Sequence, residues 1–409
     1  MSEWKKVKLG EICERVTSGG TPKANVSSYY NPPTIPWLKT KEVNYCRITE
    51  TENYISEEGL KNSSAKLISP NSVIIAMYGQ GDTAGRIAIN KIPLATNQAC
   101  CNLTIDKSKA DYEFIYYQLC TLYDKLVSLK AGAAQPNLNA RIIKNLEIIM
   151  PSLPIQHRIA SILSRYDSLI ENYQKQIKLL EEAAQRLYKE WFIDLHFPGH
   201  ENTNIIDGVP EGWEKKTIDD VTCKITTGLN PRKNFVLGKG SNYYVTIKNM
   251  ADNTLFLDDR CDRVDNEALE KINKRSDLKI GDILFSGIGT IGRVALVYIP
   301  TNNWNVSESV FTLRANDIVT KEFLYLMLLS PDMQNYCQSN AHGAAQKGIR
   351  MADLKAYSFN LPPFGVIQKF TNLVTPTIKK VSSIRNQIRL LTEARDRLLP
   401  QLMSGRIVL

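Results

Sequence analysis

Apolar side chains recur at alternating steps of three and four residues between Ile155 and Phe192. The stripe consists of Leu163, Tyr166, Ile170, Tyr173, Ile177, Leu180, Ala184, Leu187 and Trp191. This spacing keeps the stripe on one face of a helix and predicts that the face packs against a partner helix. A helix of about 38 residues spans roughly 57 Å at about 1.5 Å per residue, so it can act as a spacer.

The same stripe occurs again 211 residues later, at Val374, Thr377, Val381, Ile384, Ile388, Leu391, Arg395, Leu398 and Leu402. Two such helices predict a coiled-coil pair; the alternative is two long core helices of one globular domain. The predicted core of the pair is Leu163, Ile170, Ile177, Leu180, Leu187, Val381, Ile384, Ile388, Leu391 and Leu398. Arg395 and Pro400 are expected to weaken the second helix. The proline should end or kink it, because proline lacks an amide N–H.

The repeat extends along the whole chain. Matching positions include Trp4 and Trp213, Gly19 and Gly228, Pro22 and Pro231, and the Gly-Ala-Ala-Gln runs beginning at Gly132 and Gly343. The sequence therefore predicts two copies of one plan, each a domain followed by a long helix. The predicted boundaries are domain 1 at 1–152, spacer helix 1 at 153–197, a linker at 198–212, domain 2 at 213–363, and spacer helix 2 with its tail at 364–409.

Within each copy, short apolar runs alternate with Gly- and Pro-rich turns, which predicts a mixed α and β domain and an α+β fold class. Each copy has an opening turn after Val16 or Ile225, followed by a lysine-bearing segment that includes Lys39 or Lys248. The predicted strands are Ser72 to Met77, Arg86 to Asn90, Asp282 to Ser286 and Arg293 to Ile299. The predicted domain helices are Tyr112 to Leu129 and Lys321 to Gln338, each followed by a late turn.

Composition narrows the class of protein. The 409 residues carry 51 Lys and Arg against 42 Asp and Glu, a net charge of +9 that suits a polyanionic partner such as nucleic acid. No apolar run is long enough to cross a membrane, and the N-terminus lacks the apolar core of a signal peptide. The eight cysteines are scattered without a C-x-x-C motif. Reduced thiols and a cytoplasmic location are therefore expected.

Three motifs suggest chemistry that their context does not support. Gly287 to Gly292 fits G-x-G-x-x-G, but a strand rather than a helix is predicted after it, so a hairpin is expected instead of a nucleotide site. Asn31-Pro32-Pro33-Thr34 is similar to an amino-methyltransferase signature, yet threonine replaces the aromatic residue. His196 and His200 are separated by Pro198-Gly199. No metal site and no catalytic constellation are predicted.

Several motifs together resemble the specificity subunit of type I restriction–modification systems. They are the opening Gly20-Thr21-Pro22, Trp37-Leu38-Lys39-Thr40, Gly85-Arg86-Ile87-Ala88, Gly292-Arg293-Val294-Ala295, Pro151-Ser152-Leu153-Pro154-Ile155-Gln156 and the ending Leu398-Leu399-Pro400-Gln401-Leu402-Met403-Ser404-Gly405. Each motif is loose, but their order and duplication around paired helices are specific. The second opening turn, Gly228-Leu229-Asn230-Pro231, departs from the Gly-Thr-Pro of the first.

The resemblance implies two target-recognition domains, each reading one half of a split double-stranded DNA target. It implies that the helices form an antiparallel coiled coil, give the chain an internal pseudo-twofold repeat, set the gap between half-sites, and dock two modification (M) subunits. Restriction (R) subunits would join the complex. The chain itself would be non-catalytic and bind no cofactor: S-adenosylmethionine would be bound by the modification subunit, and ATP with Mg²⁺ by the restriction subunit.

Polar and basic residues in the turns are the candidates for DNA contact, because base edges are read by hydrogen bonds and phosphates by positive charge. In domain 1 they are Ser18, Thr21, Lys23, Lys39, Thr40, Gln80, Arg86, Gln135 and Asn137. In domain 2 they are Thr227, Arg232, Lys233, Lys248, Asn249, Arg293, Gln346, Lys347 and Arg350. About half are expected to be ordinary surface residues. Glycines in the turns are expected to let the backbone approach DNA.

Two other functions compete with this interpretation. A free-standing DNA methyltransferase would bind S-adenosylmethionine alone. A coiled-coil scaffold with two protein-binding heads would show no salt-dependent affinity for DNA.

Overall fold

The computed structural model describes residues 4–79, 81–130, 137–251, 253–343 and 347–407, which fall into two compact units. Unit 1 comprises Met1–Glu171 and Leu390–Leu409, and unit 2 comprises Asn172–Arg389. Each unit contains one repeat domain together with part of both long helices. Each segment of a long helix therefore belongs to the same compact unit as one of the domains.

Unit 1 is built on two sheets and a short strand pair. Its strands are β1 Lys5–Lys8, β2 Cys13–Ser18, β3 Ile35–Leu38, β4 Cys46–Ile48, β5 Tyr54–Ile55, β6 Leu67–Ile68, β7 Val73–Ala76, β8 Ile87–Asn90, β9 Leu94–Thr96, β10 Cys100–Ile105 and β11 Glu147–Met150. The sheets have the orders β2-β10-β7-β8-β4 and β5-β3-β9-β6, and β1 pairs with β11. Its helices are α1 Glu57–Lys61, α2 Tyr112–Cys120, α3 Tyr123–Ser128, α4 Ala140–Lys144 and the first part of α5 Leu153–Phe192.

Unit 2 follows the same plan. Its strands are β12 Ile205–Ile206, β13 Val209–Pro210, β14 Glu214–Thr217, β15 Thr222–Thr227, β16 Asn242–Val245, β17 Met250–Ala251, β18 Thr254–Leu255, β19 Asp262–Val264, β20 Ile283–Ser286, β21 Val294–Leu296, β22 Trp304–Val306, β23 Val310–Ala315 and β24 Ser358–Leu361. Its helices are α6 Asn266–Ser276, α7 Lys321–Leu328, α8 Pro331–Ser339, α9 Met351–Ala356 and most of α10 Phe364–Met403. The sheet orders β15-β23-β20-β21 and β19-β16-β22 and the pair β14–β24 follow those of unit 1, except that each sheet has one edge strand fewer.

The mixed α and β domains predicted from the sequence are confirmed. β7 and β8, and β20 and β21, lie within the four predicted strands and form antiparallel hairpins. All four residues of β7 and all four of β8 are buried. Such continuously buried strands are typical of sheets that are covered on both faces. Equivalent parallel pairs occur in both units, β3 with β9 and β16 with β22, and unit 1 has a second parallel pair, β4 with β8.

The two predicted domain helices were each wrong in length. The first divides into α2 and α3, and the second into α7 and α8. In unit 2 the cause is Pro331, which occupies the first turn of α8 while the Ser330 hydroxyl accepts from the Met333 N–H. A proline disfavours helical geometry at the residue before it but fits the start of a new helix. The break therefore follows from Pro331, which the prediction from the apolar pattern did not take into account.

The two long helices are confirmed as helices of 40 residues each, α5 and α10. In unit 2, Phe192 packs on Phe370 with ring centroids 4.8 Å apart, and Glu181 pairs with Arg385 at 2.5 Å. The later residue of α5 thus faces the earlier residue of α10, so these segments run in opposite directions. Pro400 does not end α10, which continues to Met403.

The predicted helix-pair core divides into two groups. Leu163, Ile170, Val381 and Ile384 are buried, whereas the other six are half-buried, namely Ile177, Leu180, Leu187, Ile388, Leu391 and Leu398. Both long helices contribute buried residues to the domain cores, as with Tyr188 in unit 2, whereas Ile384 is fully buried outside those cores. Burial of the long helices is therefore not confined to their contacts with the domains.

Candidate nucleic-acid interface

A short central loop, residues 97–99, lies between β9 and β10 and organises the turns of unit 1. The Gly19 N–H of the opening turn donates to the Cys100 carbonyl at 3.2 Å. The Asn97 N–H donates to the Leu38 carbonyl at 2.9 Å, just before Lys39 of the lysine-bearing segment. Backbone hydrogen bonds thus fix both segments against the same loop.

The hairpin of unit 1 reaches the same loop, and the late turn is bonded to the hairpin. The Met77 N–H, at the start of the β7–β8 hairpin, donates to the Ala99 carbonyl at 2.7 Å. The Leu138 N–H, next to Asn137, donates to the Met77 carbonyl at 3.1 Å. The opening turn, the lysine-bearing segment and the hairpin therefore meet at this loop and the first residue of β10, and the late turn joins them through Met77.

Unit 2 repeats this convergence at its own central loop, residues 307–309. The hydrogen bonds are Gly228 N–H to Ser307 O at 3.2 Å, Ser307 N–H to Val245 O at 2.8 Å, Gly287 N–H to Ser309 O at 3.0 Å, and Ile349 N–H to Gly287 O at 2.8 Å. Again an opening turn, a lysine-bearing segment, a hairpin and a late turn meet. The repeat in sequence is thus a repeat of the candidate site.

The glycine of each opening turn is required by packing within the protein. A Cβ atom on Gly19 would lie 2.2 Å from the carbonyl oxygens of Thr96 and Asn97, and one on Gly228 would lie 1.6 Å from the Val306 carbonyl oxygen. Any larger residue would push the turn off the central loop. These contacts explain the two glycines without an approach to DNA.

The side chains of the unit 1 cluster are arranged as polar pairs. The Thr21 hydroxyl donates to the Gln98 side-chain oxygen, which belongs to the central loop. Lys39 Nζ lies 3.0 Å from Asn53 Oδ1 and 5.0 Å from the centre of the Trp37 ring. Both Thr21 and Lys39 are thus oriented by neighbours before any ligand arrives.

Arg86 at the hairpin is held by a carboxylate and an amide. Its Nη2 lies 2.6 Å from Asp82 Oδ1, and its Nη1 lies 3.0 Å from Asn44 Oδ1. The hydrogen bond from Arg86 lowers the pKa of Asp82. An anionic ligand would therefore compete with Asp82 for this guanidinium.

In unit 2 the central loop supplies a carboxylate. The Asn230 amide donates to Glu308 at 2.8 Å, and the Tyr244 hydroxyl donates to Glu308 at 3.1 Å. Burial of Tyr244 and the charge of Glu308 raise the pKa of that tyrosine.

Arg293 donates to the Ile247 carbonyl at 2.9 Å, so it supports the lysine-bearing segment.

The predicted DNA-binding residues have different exposures. Exposed are Ser18, Thr21, Lys23, Arg232, Lys233, Lys248, Lys347 and Arg350. Half-buried are Lys39, Thr40, Arg86, Asn137 and Arg293. Thr227 and Asn249 are buried. Gln80, Gln135 and Gln346 lie outside the described residues.

The two buried candidates are bonded within the protein. Thr227 accepts from Arg275 Nη2 at 3.2 Å. Asn249 Oδ1 accepts from the Thr246 N–H at 2.9 Å and so caps the short turn before Met250. Both side chains support the shape of the loop cluster.

Sequence reasoning missed Gln98 and Glu308, the central-loop side chains. A signal was present, because Asn97-Gln98 and Ser307-Glu308 are polar pairs at equivalent places in the two copies, directly before buried strands. It also missed Arg263, whose guanidinium lies 3.8 Å from the centre of the Tyr243 ring. Only the fold makes that stacking visible.

Neither a metal-binding group nor a membrane-spanning helix is found among the described residues. Within the described ranges, no group of three or more His, Cys, Asp and Glu side chains could hold a metal ion. The rings of His196 and His200 lie 5.4 Å apart, centre to centre. Among the helices that the structure describes, none combines the length and apolar character that membrane spanning requires.

Comparison with known protein families agrees with this repeated architecture. The sequence profile of the family described as type I restriction modification DNA specificity domain matches residues 1–182 and 210–388, one match for each repeat. The chain is thus a protein with two DNA specificity domains. It belongs to the type I restriction–modification specificity family and is a non-catalytic specificity subunit.

Individual relatives are similar in sequence to this chain over nearly its full length. The chain is 28% identical to the type I restriction enzyme MjaIX specificity subunit of Methanocaldococcus jannaschii, over 99% of this chain and 94% of that protein. It is 22% identical to the HindI specificity subunit of Haemophilus influenzae, over all of both chains. The crystal structure of a type I restriction–modification S subunit from M. genitalium has a TM-score of 0.62 at 17% identity, covering 98% of this chain and 96% of that one. This last likeness concerns the fold.

Proposed function

We propose that the chain recognises a split double-stranded DNA target, with each loop cluster reading one half. The observation that carries the proposal is the clustering of four polar turns, three at a central loop and the late turn on the hairpin, twice in the chain. Several turns held together present donors and acceptors on one surface, which groove reading needs. The net charge of +9 favours the phosphate backbone.

Within each cluster we assign contact to the exposed side chains. Lys23, Arg232, Lys233 and Lys347 are exposed cations suited to phosphate contacts. Thr21 presents a hydroxyl beside the Gln98 amide, a combination suited to base edges.

We further propose that α5 and α10 form an antiparallel coiled coil that spaces the two readers. Support comes from the opposite directions of their segments in unit 2 and from the heptad stripes. The stripe from Leu163 to Trp191 covers about 42 Å at roughly 1.5 Å per residue. That length corresponds to about twelve base pairs at roughly 3.4 Å per pair, close to one turn of DNA.

We also propose that exposed faces of the long helices dock two modification subunits. Lys178, Leu179, Glu182 and Arg186 on α5 are all exposed, and the residues 211 positions later on α10 are also exposed and nearly the same: Arg389, Leu390, Glu393 and Arg397. Packing preserves buried residues between repeats, but it does not require exposed ones to match. A patch repeated on the surface therefore suits one kind of partner binding twice.

In such a complex we expect the catalytic ligands to be held by the partners. S-adenosylmethionine would bind the modification subunits, and ATP with Mg²⁺ would bind the restriction subunits. Isothermal calorimetry on this chain alone should accordingly show no heat of binding with S-adenosylmethionine. Saturable binding would favour the methyltransferase alternative.

The decisive experiment maps methylated adenines across the genome in cells with and without this chain, in the presence of its modification subunit. A split motif that disappears with the chain supports the proposal and gives the gap length. A continuous motif contradicts the two-reader arrangement. If the maps are identical and the purified chain shows no salt-dependent DNA affinity, the scaffold function is favoured instead.

A further inference from the structure

A charged pair joins the two long helices inside unit 1. Asp167 on α5 is buried, and its Oδ1 lies 2.7 Å from Nη1 of Arg395 on α10. The other carboxylate oxygen of Asp167 accepts from the Tyr117 hydroxyl of α2. One carboxylate thus connects both long helices to the domain. Arg395, which was expected from the apolar stripe to weaken the second helix, is therefore paired with a carboxylate.

A second buried cation extends the connection. The Arg47 side chain on β4 is only 6% exposed; it lies 3.3 Å from Glu171 on α5 and 3.5 Å from Glu113 on α2. Its Nη2 also lies 3.4 Å from the Tyr117 hydroxyl oxygen. Helix α5 is therefore held on the domain by directional polar contacts as well as by apolar packing.

The shared fold plan does not require this pair. In unit 2 the positions equivalent to Asp167 and Arg395, at an offset of 211, are Ile378 and Ala184. Both are buried members of the unit 2 apolar core. The same architecture is thus stable with an apolar pair, so the charges in unit 1 serve some further purpose.

Unit 2 has a charged pair of its own between the two long helices, at a different position along them. Glu181 pairs with Arg385 at 2.5 Å, while the residues at the positions equivalent by the offset of 211 are the uncharged Thr392 and Gln174. Each end of the helix pair therefore carries a charged pair that the other end lacks.

The aliphatic contacts of the heptad stripe discriminate poorly between registers that differ by seven residues. The stripe of α10 presents Ile388, Leu391, Leu398 and Leu402 at heptad spacing, so sliding by seven residues replaces one aliphatic side chain with another. Arg395 is the one charged member of that stripe. Sliding would leave Asp167 facing an aliphatic residue, and an unpaired buried charge disfavours that register by about a hundredfold or more.

We propose that the Asp167–Arg395 pair fixes the register of the two spacer helices and thereby the length of the unread gap. This inference rests on the proposed function. A slip of seven residues displaces the helices by about 10.5 Å at roughly 1.5 Å per residue. The gap would then change by about three base pairs at roughly 3.4 Å per pair. The pair is a positioning element and contacts neither half-site.

The test transplants the unit 2 residues into unit 1. The double variant Asp167→Ile/Arg395→Ala, in the full chain with its modification subunit, is compared with wild type by genome-wide methylation mapping. We expect both half-site sequences to be unchanged and a second gap length, differing by about three base pairs, to appear beside the original. The control Lys189→Ala/Asp194→Ala removes an exposed pair at the C-terminal end of α5 and should keep a single gap.

Each outcome decides one question. A single unchanged gap in the double variant overturns the register proposal while leaving the split-target function intact. Absence of a split motif in wild type rejects the function itself. If the double variant shows no methylation and no cooperative melting, Asp167→Asn replaces it, because asparagine still accepts from Tyr117 but lacks the charge. An unchanged gap with Asp167→Asn likewise overturns the proposal.

Discussion

At the residue scale, the candidate interface depends on backbone contacts that leave no room for side chains. Gly19 and Gly228 press the opening turns against carbonyl oxygens of the central loops. Gly19→Ala should lower the free energy of unfolding by about 1–3 kcal/mol, because the new methyl group must displace backbone. Urea denaturation measures the loss.

Gly365 provides the matched control for that substitution. It lies in the first turn of α10, and a Cβ atom there would meet nothing within 4 Å. Gly365→Ala should therefore leave stability unchanged or slightly raised. Equal destabilisation by both substitutions would contradict the packing role of Gly19.

Exposed cations of the clusters should act through phosphate charge. Lys23→Gln should weaken DNA binding about equally for all sequences and reduce the salt slope of log K by about 1. Fluorescence anisotropy over a range of NaCl concentrations measures both quantities.

Lys107 is a suitable control for Lys23. It is also exposed, but it follows the end of β10 that lies away from the central loop. Lys107→Gln should keep the wild-type slope. Equal effects of the two substitutions would mean that the affinity comes from general charge.

At the element scale, the repeated surface patch predicts stoichiometry. Leu179 is 64% exposed and Leu390 is 49% exposed, at equivalent positions of α5 and α10. Burial of a leucine in an interface contributes about 1.5–3 kcal/mol. Leu179→Asp or Leu390→Asp should each lose one modification subunit, and the double variant should lose both, as counted by native mass spectrometry.

Leu373 tests whether any exposed leucine would do the same. It is 56% exposed on α10, but its counterpart Ile162 is half-buried, so this exposure is not repeated. Leu373→Asp should keep two modification subunits. Two subunits retained by the Leu179/Leu390 double variant would place docking elsewhere.

The elements also show what the sequence could predict. Periodicity located α5 and α10 and the strands of both hairpins, because those patterns arise from burial on one face or two. It overlooked Pro331, which divides a helix, because a short break leaves the apolar pattern intact. It selected Thr227 and Asn249 as DNA-binding candidates although they are buried, since hydroxyl and amide groups suit ligands and internal caps equally well.

At the scale of the whole molecule, helix length should set the gap. Inserting seven residues into both α5 and α10, in register, adds about 10.5 Å of spacer, or about three base pairs. Methylation mapping should show both half-sites unchanged and a longer gap. A gap that keeps its original length would reject the ruler.

The central loops have a consequence for how recognition can change. Because three turns meet at each central loop and the late turn rests on the hairpin, altering the loop or the hairpin disturbs the support of the other turns. Exchange of an entire domain carries the turns and their common support together. New targets should therefore arise more readily by recombination at the domain borders than by stepwise substitution, and each half of the target should be inherited as a block.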